Sequence, residues 1–165
     1  MKRASALTPD SAQRIISLLG DSWWPNIYRE HILQMRTRSY HFNVLPRNAR
    51  IEIQHTLLGV ELKIGRRRLS CPDLAMARYL SVFARAGCKD VAIPYDISQV
   101  SCIADELESA WQRMLLLVEH NFTSKAARAR IRGLLIAKLR AEIAAAGAGT
   151  AVPEFKQSTK QRQTS

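Results

Sequence analysis

Residues 51–64, IEIQHTLLGVELKI, alternate apolar and polar side chains along two runs that meet near a glycine. An alternation of period two does not make a helix face; it makes a strand with one dry side and one wet side. Ile51, Ile53 and His55 share a face of the first strand, and Val60, Leu62 and Ile64 share a face of the second. Glu52, Gln54, Glu61 and Lys63 fall on the opposite faces. Gly59 offers a turn or bulge and Gly65 another, so Arg67 to Leu69 returns as a short edge strand. The reading is an antiparallel meander whose dry face needs a helical cover.

The flanking segments supply helices. TPDSAQRIISLLG offers Thr8 or Asp10 as a cap, Pro9 in the first turn, an apolar face from Ile15 to Leu19, and Gly20 as a stop. A second helix follows Pro25, with Ile27, Tyr28, His31, Ile32 and Met35 at helical spacing. Trp23 and Trp24 cap a core from the connection, with a binding platform as the alternative. HFNVL reads as a short strand, punctuated by Pro46 and Asn48. Beyond the meander, Ser70 or Asp73 caps a helix that buries Met76, Ala77, Leu80, Phe83 and Ala84 and ends at Gly87. Val91 to Tyr95 reads as a short strand, and Pro94, which cannot donate to a ladder, argues for an edge or a strand end. The longest helix then starts near Ser98 or Ser101, and a last one starts at Ser124 and breaks at Gly147 and Gly149. The fold class is α+β: two N-terminal helices, a small antiparallel meander, a crossing helix, a short strand and two long C-terminal helices. Residues 1–149 form one globular domain, and 150–165 read as a basic disordered tail. A winged helix-turn-helix would need a recognition helix before the hairpin, and none is evident.

Composition narrows the function classes. Of 165 residues, 47% are hydrophobic, enough for one buried core without staples. The longest mainly apolar run, Met114 to Val118, is far too short to span a bilayer, and the basic N-terminus lacks the apolar stretch of a signal peptide. Cys71, Cys88 and Cys102 make an odd set with no CxxC pair, which suits a reducing, cytoplasmic setting. Their spacing suits neither a disulfide nor a metal, and His31, His41, His55 and His120 add no short ligand pair. No metal or cofactor is expected. There is no GxGxxG, Walker A, GxSxG or HExxH. His55, Cys71 and Asp96 can be assembled into a cysteine nucleophile site only on paper, so no catalytic residues are assigned. Ser70 closes a short match to a basophilic kinase target, RRLS, which a capping role explains more simply.

The net charge of +11 is uneven: residues 90–122 hold one Lys/Arg against six acids, and residues 123–165 hold nine against two. Asp105, Glu106 and Glu108 suit the early turns of the longest helix, where the dipole favours anions. The cations suit a polyanion. Arg66, Arg67 and Arg68 follow the second meander strand, with Arg67 pointing away from its neighbours, and Arg78 and Arg85 share a stripe on the next helix with Lys89 just beyond. These could form a patch for bidentate phosphate contacts. The alternative is a charged hairpin end that protects a sheet edge. Lys125, Arg128 and Arg132 make a second stripe, with Arg130, Lys138 and Arg140 nearby. The expectation is a basic, non-enzymatic regulatory protein that binds DNA or RNA mainly through phosphates. The alternative is a protein–protein adaptor or assembly factor acting through an apolar helix. Leu115, Leu116 and Leu117 widen the apolar surface of the longest helix, which points to a homo-oligomer.

Overall fold

The computed structural model describes residues 9–42 and 50–149. The chain is α+β, with antiparallel strands in two separate sheets and two long C-terminal helices. Helix α1 (Pro9–Leu19) leads through a short 3-10 turn to α2 (Trp24–Ile27), which runs directly into a π-type turn, Tyr28–Ile32. Strand β1 (Thr37–His41) follows, then β2 (Ile51–Thr56), β3 (Gly59–Ile64) and β4 (Arg67–Cys71). Helix α3 (Leu74–Ala86), strand β5 (Asp90–Pro94) and helices α4 (Ile97–Asn121) and α5 (Lys125–Ala146) complete the order. The expected tail and the cap at Thr8 lie outside the described residues, as do Pro46, Asn48 and most of HFNVL.

The meander takes the register that its alternation specifies. Ile51 pairs with Ile64 and Ile53 with Leu62, so the apolar residues of both strands share one face. Leu62 and Ile64 are buried, and α3 covers that face, touching all three strands. On its other side α3 packs along α4, which explains why nearly all its residues from Met76 to Ala86 are buried. The caps match their chemistry. Asp73 Oδ1 accepts from the Met76 N–H at 2.9 Å, and Gly87 ends the helix at φ 79°. Ser70 is therefore a strand residue and not a cap.

The second sheet differs from expectation. The strand that pairs with β5 is Thr37–His41, which starts earlier than the expected HFNVL and overlaps it at His41, aligned antiparallel so that Ser39 faces Ala92. With two strands among the described residues, the far edge of β5 would leave buried backbone groups unpaired, a costly arrangement. Two tyrosines solve this. The Ala92 N–H donates to the Tyr28 hydroxyl at 3.0 Å, and the Tyr79 hydroxyl donates to the Ala92 carbonyl at 2.6 Å. Tyr28 also donates to the Gly147 carbonyl, so β5 and the end of α5 are tied through one phenol.

The core centres on aromatic side chains. Trp24 lies against Phe83 at 5.1 Å and Trp111 at 5.7 Å between ring centroids, and its indole N–H donates to the Leu107 carbonyl at 2.8 Å. Trp23 and Trp24 are both buried, so they form no external platform. Leu115 and Leu117 pack against the same core. Leu116 alone of the three leucines is exposed, which reduces the surface that argued for an oligomer.

Candidate functional site

The arginine triplet sits at a tight hairpin turn. Gly65 adopts φ 60° between β3 and β4, and Ile64 pairs with Arg67 while Lys63 pairs with Arg68. Alternation then places Arg67 on the face of Ile64 and Ile51, and Arg68 on the wet face with Lys63 and Glu52. Arg68 approaches Glu61 at 3.9 Å, an ion pair too long for a hydrogen bond. Arg66 and Arg67 have no acidic partner among the described residues. The triplet is thus split: one member balances its own sheet and two are unengaged.

Arg78 does not join a phosphate-binding patch. Its guanidinium is the clamp between α3 and α4, contacting Asp105 and lying 2.7 Å from Glu108. The hydrogen bonds it donates to Glu108 and Asp105 raise its pKa still further above the ordinary arginine range. The same geometry corrects the dipole reading of these acids. They lie well past the first turn of α4, where the end effect has faded, and they face Arg78 and His31, which meets Glu106 at 2.7 Å.

Arg128 is also engaged within the fold. Its Nε donates to the Phe122 carbonyl at 2.6 Å and its Nη2 to the Glu119 carbonyl at 3.1 Å, satisfying the C-terminus of α4. Lys125, Arg130 and Arg132, on the first half of α5, and Arg85, in the last turn of α3, have no ion-pair partner among the described residues. Meanwhile most carboxylates are taken. Glu52, Glu61, Asp105, Glu108 and Glu142 are in ion pairs with Arg or Lys, Asp90 and Glu106 contact His41 and His31, and Asp73 and Asp96 cap helices. The surplus positive charge is therefore presented outward.

His55, Cys71 and Asp96 are not brought together as a catalytic set. His55 and Cys71 occupy the same ladder row with Val60 between them, and Asp96 caps α4. Burial pushes the Cys71 thiol up, opposite to what a nucleophile needs. His41 Nδ1 and the Asp90 carboxylate are in hydrogen-bond contact across β1 and β5.

Two features were missed by sequence reasoning. Leu57 and Leu58 form the two-residue connection between β2 and β3 and are fully exposed. Thr56 holds this tip: its hydroxyl accepts from the Leu58 N–H and donates to the Gly59 carbonyl, each at 3.2 Å. The signal was present in the sequence, since the two leucines fall where the paired strands must turn. The second is a cleft of about 570 Å³ where the ends of α3 and α5 meet β1 and β5, lined by Lys89, Asp90 and Arg140. Its walls come from segments far apart in the chain, so no local pattern announces it.

Comparison of the chain with protein-family models, with curated proteins and with solved structures finds no match.

Proposed function

We propose that this chain is a small, basic, non-enzymatic regulatory protein that binds DNA or RNA mainly through phosphate contacts. The observation that carries the reading is the imbalance of engagement: the carboxylates are largely engaged internally, while Arg66, Arg67, Arg85, Lys125, Arg130 and Arg132 have no ion-pair partner among the described residues. Exposed cations contribute little to a fold, but together they attract a polyanion and release its counterions. The free thiols of Cys71, Cys88 and Cys102 accord with a cytoplasmic setting. Among the described residues, no helix is long and apolar enough to cross a membrane.

A double variant, Arg66→Ala with Arg67→Ala, tests the reading. Its log–log salt slope on duplex DNA should flatten by about 0.9 for each phosphate that is no longer neutralised, or about 0.7 on a single strand. The effect should be equal across sequences, and thermal stability should hardly move. Absence of binding by the parent protein even at low salt would sink the proposal. An unchanged slope would shift the contact to Lys125, Arg130 and Arg132.

A second reading, a protein–protein adaptor, draws on Leu57 and Leu58. Two fully exposed leucines at a braced turn do nothing for the core, and they suit a partner's apolar pocket. Their area is well short of the roughly 800 Å² per partner of a standard stable interface, so other surface would have to join them.

A further inference from the structure

We infer that the cleft between the C-terminal ends of α3 and α5 binds a small anion through a phosphate-type group, held by Arg140 and Lys89. The cleft has a volume of about 570 Å³, inside the range of about 300–1,000 Å³ typical of small-molecule sites. Cys88 and Ile143, both buried, give it an apolar part, and Gly87 and Gly147 keep its walls low.

The electrostatics select the ligand. Arg140 donates through Nε to the Ala86 carbonyl at 3.1 Å, which fixes the guanidinium at the end of α3. Its other N–H groups meet no acceptor among the described residues, and neither does the Lys89 ammonium. The carboxylate in the lining, Asp90, is engaged by His41. A plainer role for these cations is to complement the carbonyls that close two helices. That role uses one N–H of Arg140, and the Gly147 carbonyl at the end of α5 is already served by Tyr28. Among the described residues, the remaining donors are in excess of the acceptors that the fold presents. A planar fork beside an ammonium matches the several acceptor oxygens of a phosphate.

None of the six cations proposed to contact nucleic acid lines this cleft, although Arg85 is near in sequence to Gly87. Its phosphate could belong to a free small molecule or to the 5′ end of an oligonucleotide.

Calorimetric titration of the full chain with inorganic phosphate and with pyrophosphate tests the inference. Saturable one-site binding is expected, weakened about tenfold by Lys89→Gln and at least as much by Arg140→Gln. Circular dichroism checks the fold of each variant. Because Arg140→Gln can loosen the end of α3, the exposed Lys89→Gln variant decides the matter if Arg140→Gln fails to fold. The Arg66→Ala, Arg67→Ala variant should bind pyrophosphate as the parent does. Competition by a 5′-phosphorylated oligonucleotide, but not by its unphosphorylated twin, would place the group at a chain end. Competition by neither would place it on a free small molecule. Failure of both anions to bind saturably overturns the inference. So does pyrophosphate affinity that ignores Lys89→Gln and falls with the hairpin variant.

Discussion

Trp24→Ala is expected to lower the unfolding free energy by about 4 kcal/mol, the range measured when a large buried aromatic is truncated. Trp24 is only 2% exposed, packs on Phe83 and Trp111, and donates to the Leu107 carbonyl inside α4. Its removal therefore opens a void where α2, α3 and α4 meet. Trp24→Phe should recover most of that loss, because it restores volume without the indole hydrogen bond. Urea unfolding of the two variants checks this. A loss under about 1 kcal/mol for the alanine variant would show that the helices close over the gap.

The second large effect is alkaline unfolding. Burial pushes Tyr28 from its ordinary 10.0 up to about 12 and Cys88 from 9.0 up to about 12, and it raises Tyr79 well above 10.0. Each group is protonated in the fold at a pH where the unfolded chain has released its proton. The stability contributed is thus complete below about pH 9 and falls as pH rises toward the folded values. The slope is about 1.4 kcal/mol per pH unit for each group in its window. Cys88 acts first and Tyr28 next, so their combined loss reaches about 4 kcal/mol by about pH 11. Burial is the leading cause at Tyr28, and a phenolate there would also lose the hydrogen bond it donates to the Gly147 carbonyl. Denaturant unfolding across this range, read beside tyrosinate absorbance, checks the expectation. Cys88→Ala should flatten the early part of the decline, while stability unchanged to about pH 11 would contradict it.

Elements written into short stretches were legible. The meander appears as alternation from Ile51 to Ile64, and Asp73, Gly87 and Ser124 mark helix ends because capping is a local matter. Strand β1 was not legible, since Thr37–His41 has weak alternation and its partner is β5, far along the chain. Arg78 misled for a related reason. A cation on a helix looks the same whether it faces solvent or a neighbouring helix, and only packing revealed Asp105 and Glu108 beside it. Arg128 likewise reads as part of a charged stripe until the end of α4 is found within its reach. The cleft at Arg140 depends on a meeting of distant chain segments that no local pattern encodes.

The pairing of β1 with β5 is also expected to order assembly. The chain leaves this sheet at Phe42, whose N–H bonds the Lys89 carbonyl, and returns at Lys89. The meander and α3 are therefore a long excursion pinched at its neck. Its hairpins are built from neighbours in sequence and can form early. Closing the neck joins distant ends and carries a loop entropy on the order of 3 kcal/mol, which doubling the excursion would raise by only about 0.6 kcal/mol. Length added within the excursion is cheap, and closure of the neck is expected to follow the hairpins.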